Sequence, residues 1–189
     1  MLGLVGDAKL PLVGLIDAAI TMPFTDESSE VRPRFTTAAL ALSRASLGEH
    51  LGVAVKDARI ALSTELDLVF LEAEQISFVG TRFSAGLAHE AALQSRGDAQ
   101  VWTEAHHLME YRHVPVRMVV SSPVKWDFGE TSAGMAAEVE LTGANFEKGQ
   151  LDSVAEVARA QRVALALAFK TGSKLDEPQN LNRYLILEH

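Results

Sequence analysis

The sequence has 189 residues, of which 48% are hydrophobic and 22% are charged, and its formal net charge is −8. This length and composition exclude a disordered chain and predict a single globular domain, which we place at residues 1–186. The acidic balance, without any basic cluster, argues against nucleic-acid binding. Because the sequence contains no cysteine, disulfides, thiolate metal sites and cysteine nucleophiles are excluded.

The two ends of the chain carry no targeting signal that we can identify. Residues 187–189 resemble the start of a vector-encoded tag, so we leave them out of the fold and function arguments. Residues 1–20 are apolar, but they lack a basic region and are interrupted by Asp7, Lys9 and Asp17, so we interpret them as mature protein. Every apolar run is shorter than the roughly 20 residues of a membrane-spanning helix. We therefore expect a cytoplasmic protein without a transmembrane segment.

The N-terminal third of the chain predicts a short helix. Apolar residues between positions 12 and 20 fall on one helical face, and the pattern ends before Pro23. Residues 25–33 have the composition of an exposed loop. Residues 36–47 leave two alternatives open, because Leu40 and Leu42 alternate as in a strand while the alanine content favours a helix.

The middle of the chain predicts an antiparallel sheet. Apolar residues occupy the even positions from Ile60 to Phe70 except Thr64, and polar residues occupy several of the positions between them, which is typical of a half-buried strand. Residues 84–93 fit a short helix or a covering loop. Because the strand-like runs follow one another closely, we expect them to pair in an antiparallel arrangement. The further runs with strand-like alternation are residues 53–55, 76–80, 101–111, 114–120 and 135–141.

The strongest helix signal lies near the C-terminus. Ser153 and Glu156 have the spacing of a capping box and introduce an alanine- and leucine-rich segment at residues 154–170, which Gly172 ends. Residues 183–186 are expected to add a last strand. The predicted fold is therefore α+β: a mainly antiparallel sheet with a short N-terminal helix and a long C-terminal helix packed on it.

The densest group of chemically active residues lies between positions 104 and 113. Histidines and carboxylates are ligands for zinc and similar divalent metals. If the segment is a strand, His106 and Glu110 share one face while His113 lies on the other; if it is a helix, these three residues line one face. A pairing of histidines with carboxylates across the sheet explains the same residues without a metal. The candidate metal ligands are His106, Glu110 and His113.

Motifs for common catalytic chemistries are missing from the sequence. It contains no Gly-x-Ser-x-Gly turn, no phosphate-binding loop of the Walker type and no dinucleotide fingerprint, so we predict no cofactor. The leading prediction is a non-enzymatic module that acts through homo-oligomerisation or by docking to a protein partner. One alternative is a carrier of, or an enzyme on, a small apolar ligand held between the sheet and the C-terminal helix; another is a metal-dependent hydrolase that uses residues 106–113. The candidate ligand-binding residues are Trp102, His106, Glu110 and Trp126.

Overall fold

The computed structural model describes residues 1–27, 33–99, 101–113, 123–129 and 133–173. Short 3₁₀ helices lie at Pro11–Leu15 and Pro23–Thr25. The strands are β1 (Leu2–Val5), β2 (Ala18–Thr21), β3 (Gln75–Gly80), β4 (Trp102–His107), β5 (Pro123–Asp127) and β6 (Asn145–Lys148). The α-helices are α1 (Pro33–Ser46), α2 (Gly52–Ser63), α3 (Leu68–Leu71), α4 (Phe83–Ala99), α5 (Leu108–Tyr111), α6 (Met135–Glu140) and α7 (Ser153–Thr171).

The central sheet has four parallel strands in the order β4-β3-β5-β6. A helix follows β3 and another precedes β6, so the chain crosses the sheet between neighbouring strands instead of turning back in hairpins. In one row across the sheet, Phe78 of β3 pairs with Ala105 of β4 and Trp126 of β5. Strands β1 and β2 form a separate two-stranded parallel sheet.

The main hydrophobic core lies between the sheet and the helices α4 and α7. The rings of Phe70, Phe78, Trp126 and Phe128 stack there with centroid separations of 4.6–5.6 Å. Helices α1 and α2 pack on the outside of α7, which explains why α7 has buried residues on more than one side. The space between the sheet and α7 is thus filled with side chains.

A smaller core covers the opposite face of the sheet. Val79 of β3 packs there with Leu108 and Tyr111 of the α5 segment and with Met135 and Val139 of α6. The sheet therefore has helices on both faces, as parallel sheets require, since both faces of their strands are apolar.

This architecture corrects the predicted fold class. The prediction of a mainly antiparallel sheet is wrong, because all the pairings of the central sheet are parallel. The error began with residues 60–70, which are the end of α2, a loop and α3 rather than a strand. Ile60, Leu62 and Leu68 are 40–68% exposed, so the alternation of apolar residues there did not mark a buried face.

Three more segments differ from their predictions. Residues 135–141 contain α6, in which the i, i+4 pair of Met135 and Val139 is buried while Leu141 is 87% exposed. The predicted helix at residues 12–20 is a 3₁₀ helix followed by β2, where Ile20 pairs with Leu4 of β1. Residues 53–55, predicted to be extended, lie in α2.

Other predicted elements are confirmed. Residues 76–80 lie in β3, and helix α7 begins at Ser153 and ends before Gly172, which has a positive φ of 73°. Of the two alternatives for residues 36–47, the helix is correct, because all but the last of them lie in α1. Residues 84–93 lie within the longer helix α4. The predicted strands at residues 114–120 and 183–186, and the tag-like residues 187–189, lie outside the described residues.

Candidate functional site

The carboxyl edge of the central sheet contains a point where the chain reverses direction. From β3 the chain passes through α4 to β4 on one side, and it later reaches β5 on the other side of β3. The loops that leave β3 and β5 therefore separate and open a crevice between them. Open α/β sheets bind their ligands in such crevices, outside the carboxyl ends of the strands.

A cleft of about 360 Å³ lies at this edge of the sheet. Its walls come from the β3–α4 turn, the residues after β5, and the loop between β6 and α7. This cleft is within the usual size range of small-molecule sites. Its lining residues are Thr81, Arg82, Phe83, Ser84, Phe128, Gly129, Gly149, Gln150, Leu151 and Ser153.

Glycines follow or end the three strands that border the cleft. A β-carbon at Gly80 would lie 2.5 Å from the backbone carbonyl carbon of Ser84. One at Gly129 would lie 2.5 Å from the Ser84 hydroxyl oxygen, and one at Gly149 would lie 2.5 Å from the carbonyl oxygen of Asp127. Because only glycine fits these approaches, the first turn of α4 sits directly against the ends of β3 and β5.

Reciprocal hydrogen bonds fix the turn between β3 and α4. The amide of Thr81 donates to the Ser84 hydroxyl oxygen at 2.9 Å, and that hydroxyl donates to the Thr81 carbonyl at 2.9 Å. The Ser84 amide donates to the same carbonyl at 3.0 Å. The Ser84 side chain is buried, so the turn is held firmly at the base of the cleft.

Arg82 occupies this turn in a strained conformation. Its φ is +50°, and it is the one non-glycine residue with a positive φ in the described part of the chain. Left-handed backbone costs an L residue about 1 kcal/mol, and such strain clusters at functional sites. The Arg82 side chain is exposed and makes no ion pair or hydrogen bond to a described residue.

The amides of Arg82 and Phe83 are also available to a ligand. They donate no hydrogen bond to any described residue, whereas the amides of Thr81, Ser84 and Ala85 all have acceptors. Helix α4, which begins at Phe83, is 17 residues long. Free amides at the start of a long helix, next to a guanidinium group, form an arrangement that binds anions.

On the opposite wall of the cleft, most of the amides have acceptors within the protein. Along the β6–α7 loop, the amide of Gly149 donates to the Asp127 carbonyl at 2.8 Å, and those of Gln150 and Leu151 donate to the Glu156 carboxylate. The amide of Asp152 donates to the Asp57 carboxylate at 2.7 Å. The amide of Ser153, the first residue of α7, donates to no described residue, so the cleft offers free backbone donors at the starts of both α4 and α7.

The structure separates the tryptophans that were predicted to bind a ligand. Trp126 is fully buried in the main core, and its indole nitrogen donates to the Glu156 carboxylate at 3.1 Å. Trp102 begins β4 and is 66% exposed. Neither residue lines the cleft at the carboxyl edge.

The predicted metal ligands lie on two different elements. His106 is on β4, where its Nε2 lies 3.3 Å from a Glu104 carboxylate oxygen. Glu110 is on α5 and His113 follows that helix; both are exposed. Within the described residues, no group of three or more His, Asp or Glu could hold a metal ion. The metal site therefore stays a prediction without structural support.

A buried amine lies on the second face of the sheet. Lys125 of β5 donates to the Ser77 hydroxyl at 2.8 Å, and its Nζ lies 5.5 Å from the centre of the Tyr111 ring. Burial lowers the pKa of Lys125, and the charge of Glu104 opposes that shift in part. Burial likewise raises the pKa of Tyr111, whose hydroxyl has no hydrogen-bond partner among the described residues.

Reasoning from the sequence missed the cleft residues, although one signal pointed to them. A strand was predicted to end at Gly80 and a helix or loop to begin at Ser84, so Thr81, Arg82 and Phe83 formed the junction. A glycine between a strand and a helix start is a common setting for anion binding. The junction matches no named phosphate-binding motif, so the sequence alone did not identify it as a binding site.

Comparison with solved structures identifies the fold. The chain resembles glucosamine-6-phosphate deaminase from Thermotoga maritima, with a TM-score of 0.74, 17% identity and 98% of this chain covered. It resembles tagatose-6-phosphate ketose/aldose isomerase from Escherichia coli at a TM-score of 0.67, with 14% identity over 93% of this chain. The C-terminal domain of glucosamine-fructose-6-phosphate aminotransferase from Francisella tularensis matches at 0.59, with 16% identity over 89%. This chain has the parallel α/β fold of these sugar-phosphate proteins.

The similarity to these proteins is structural, and this chain matches only part of each of them. The chain spans 62–66% of the length of these three proteins. No protein-family model matches the sequence, and no curated protein matches it.

These findings correct the predicted function. A non-enzymatic assembly module is the wrong interpretation, because the matched structures are of proteins named for reactions of sugar phosphates and the cleft lies where such α/β folds bind ligands. The predicted protein binding and oligomerisation gain no support from these findings. The space between the sheet and α7, suggested for an apolar ligand, is filled by core side chains. Among the described helices, none is long and apolar enough to span a membrane.

Proposed function

We propose that this protein binds a sugar phosphate in the cleft at the carboxyl edge of its sheet and acts on it as an isomerase-type enzyme. The observation that carries the proposal is the β3–α4 turn. There the start of a long helix brings together the amides of Arg82 and Phe83 and the exposed guanidinium group of Arg82, none of which has a hydrogen-bond or ion-pair partner among the described residues. Together they suit the phosphate group of the ligand.

The fold favours a sugar as the rest of the ligand. Each of the three solved structures compared above is named for a sugar 6-phosphate. The far wall of the cleft offers the Gln150 amide group and the Ser153 hydroxyl, which have no hydrogen-bond partners among the described residues. Such groups donate to and accept from hydroxyl groups, as sugar recognition requires.

Glu110 and His113 are our candidates for proton transfer. An aldose–ketose isomerisation moves a proton between neighbouring carbons, so it needs an acid or base beside the substrate. Both residues follow β4, whose carboxyl end lies at the same edge of the sheet as the cleft, and both side chains are exposed. This assignment keeps two sequence-predicted site residues but gives them a catalytic role without metal.

Calorimetric titration tests the binding part of the proposal. Glucosamine 6-phosphate and tagatose 6-phosphate are the probes, and unphosphorylated glucosamine is the control. We expect saturable binding of at least one sugar phosphate and none of glucosamine, because the phosphate supplies the charge that Arg82 binds. Absence of binding for both sugar phosphates at millimolar concentration would contradict the proposal.

Exchange in deuterated water tests the catalytic part. We expect the enzyme to catalyse loss of the proton signal at the carbon next to the carbonyl of the bound sugar phosphate, followed by NMR. Glu110→Gln or His113→Gln should slow this exchange at least 100-fold, as expected for loss of an acid–base group. His89→Gln, at an exposed position on α4, is the matched control and should exchange at the wild-type rate.

Three earlier predictions remain part of this proposal. We expect the protein to act in the cytoplasm, on a dissolved substrate. Association with a second copy or with a protein partner also stays a prediction, as does the single domain at residues 1–186.

A further inference from the structure

The α5 segment, residues 108–113, carries the two proposed proton-transfer groups and starts beside the cleft. At the carboxyl ends of neighbouring strands, His107 of β4 pairs with Gly80 of β3. Helix α5 begins directly after His107, and Thr81, directly after Gly80, lines the cleft. The proton-transfer groups therefore lie on a segment that leaves the sheet next to a wall of the cleft.

The α5 segment is too short to hold its own position. Its helix has four residues, whereas isolated helices shorter than about 12 residues are marginal in water. The His107 side chain caps this helix, because its Nδ1 accepts from the Met109 amide at 3.3 Å, but both residues belong to the same stretch of chain. Contacts with other elements must therefore fix the orientation of Glu110 and His113.

The buried face of the α5 segment packs on the smaller core. Leu108 and Tyr111 are buried there against Val79 of β3 and Val139 of α6. The Tyr111 ring also lies over Lys125, whose Nζ is 5.5 Å from the ring centre. Because apolar burial is not directional, this packing holds the segment against the sheet but does not by itself set the direction of its exposed side chains.

Arg112 supplies the directional contact. It lies between Glu110 and His113 in the sequence, and its guanidinium group donates two hydrogen bonds to the Glu138 carboxylate on α6. Nε donates to Oε2 at 3.0 Å, and Nη2 donates to Oε1. A guanidinium–carboxylate pair with two parallel hydrogen bonds fixes the angle as well as the distance between its partners.

Helix α6 holds the acceptor of this pair in place. Met135 and Val139, which flank Glu138 on α6, are buried in the smaller core. The Glu138 amide donates to the Gly134 carbonyl at 2.9 Å. The side chains of Arg112 and Glu138 are 31% and 41% exposed, and ion pairs with this exposure contribute little to stability. The pair therefore matters for orientation more than for stability.

We infer that Arg112 and Glu138 are positioning residues, which hold Glu110 and His113 in the orientation that proton transfer at the cleft requires. This inference rests on the proposed function. In that step the base takes the proton from the carbon next to the carbonyl, and the C–H electron pair becomes the C=C bond of an enol-type intermediate. The carbonyl oxygen takes a proton, and a proton later returns to carbon. Such a step depends steeply on geometry, since a misplacement of about 1 Å can cost about 100-fold in rate.

Deuterium exchange at saturation separates orientation from binding. The probes are glucosamine 6-phosphate and tagatose 6-phosphate, and NMR follows exchange at the carbon next to the carbonyl. Arg112→Met and Glu138→Gln should each slow this exchange at least tenfold, while the calorimetric Kd for the same probe stays within twofold of wild type. A general loss of structure would change the Kd and the Tm together with the rate.

A double-mutant cycle tests whether the two residues act as one unit. The variant with both Arg112→Met and Glu138→Gln should exchange no more slowly than the slower single variant, because either change alone breaks the pair. Arg34→Met is the matched control. It breaks the ion pair between Arg34, at the start of α1, and Glu27, neither of which lines the cleft, so exchange should keep the wild-type rate.

The possible outcomes distinguish this inference from the proposed function. If wild type exchanges neither probe, the proposed function fails and this inference fails with it. If wild type exchanges a probe and both single variants keep its rate, the function stands and the positioning role is overturned. A weaker Kd with an unchanged rate at saturation would overturn it too, because Arg112 would then contact the ligand. If Arg112→Met does not fold, the near-isosteric Glu138→Gln decides the question.

Discussion

Replacement of Arg82 separates its backbone conformation from its charge. In Arg82→Gly the positive φ of 50° no longer strains the chain, which contributes about 1 kcal/mol. The greater flexibility of glycine in the unfolded chain offsets about 0.5–1 kcal/mol of this gain. The net change in unfolding free energy is thus between about 0 and 1 kcal/mol, which raises the Tm by at most about 4 °C for a chain of this size.

The same variant should bind phosphate less well. A hydrogen bond to a charged group contributes about 1.5–3 kcal/mol, so its loss weakens the affinity for inorganic phosphate roughly 10- to 100-fold. Arg82→Ala removes the same charge but keeps the strain, so it should match Arg82→Gly in affinity and be less stable than it by between about 0 and 1 kcal/mol. Thermal unfolding and calorimetric titration of both variants give the two quantities.

The two measurements move in opposite directions only if Arg82 serves the ligand. A structural role would make both variants less stable than wild type, with phosphate affinity unchanged. Wild-type phosphate affinity in both variants would therefore refute the assignment of the β3–α4 turn as the phosphate site.

Three further predictions concern the framework around the cleft. Gly80→Ala should lower the free energy of unfolding by about 2 kcal/mol or more, because the added β-carbon would lie 2.5 Å from backbone atoms of Ser84. Gly86→Ala adds a β-carbon in open space on α4, so it should raise the free energy of unfolding by up to about 1 kcal/mol. Urea unfolding of the two variants measures both changes. Lys125→Met should stabilise the protein by about 1 kcal/mol at pH 7, and this gain should shrink as pH rises towards 10. Because burial lowers the folded-state pKa of Lys125, the unfolded chain binds the proton more tightly, and the stability of the wild type rises with pH up to the unfolded-state pKa. A stability gain of Lys125→Met that does not change with pH would contradict this prediction. Arg44→Met should cost about 1.5–3 kcal/mol near pH 7, because it removes two charge-assisted hydrogen bonds from the mostly buried Asp152 carboxylate. Burial raises the pKa of Asp152, but the hydrogen bonds from Arg44 outweigh burial and hold that pKa below its usual value, so this loss should start to shrink as pH falls towards about 4 and disappear only below the folded-state pKa.

The elements that could be predicted were those whose local pattern and burial agree. Residues 76–80 are wholly buried in β3, so their alternation of large apolar side chains reported a real strand. Helix α7 begins at the predicted Ser153 and ends before the left-handed Gly172, but its N-cap is Asp152, and Glu156 accepts from Gln150 and Leu151 rather than completing a capping box with Ser153. Such signals at the ends of a helix depend on neighbouring residues in the sequence, so they can be recognised without knowledge of the tertiary structure.

The strand direction could not be read from the same patterns. Ile60 and Leu62 are apolar but exposed, and Met135 and Val139 are spaced equally well for a strand face or for one helical turn. The misassignment of residues 135–141 removed helix α6, which crosses the sheet between the paired strands β5 and β6. Without this crossing helix, successive strands were expected to pair in an antiparallel way.

The candidate site was hidden for a different reason. The groups that we propose bind an anion are the backbone amides of Arg82 and Phe83, and the type of a residue does not reveal whether its amide is free. Gly80 contributes by allowing the backbone of α4 to approach the end of β3 closely. By contrast, Glu110 and His113 were noticed because their side chains are chemically conspicuous. Their place at the carboxyl edge of the sheet became visible only in the fold.

A crystal structure of the protein with glucosamine 6-phosphate tests the central claim most directly. We expect the phosphate oxygens within hydrogen-bonding distance of the amides of Arg82 and Phe83, with the sugar ring against Gln150 and Ser153. A sugar phosphate bound elsewhere on the protein, or a cleft without ligand at a concentration that saturates binding in solution, would contradict this account.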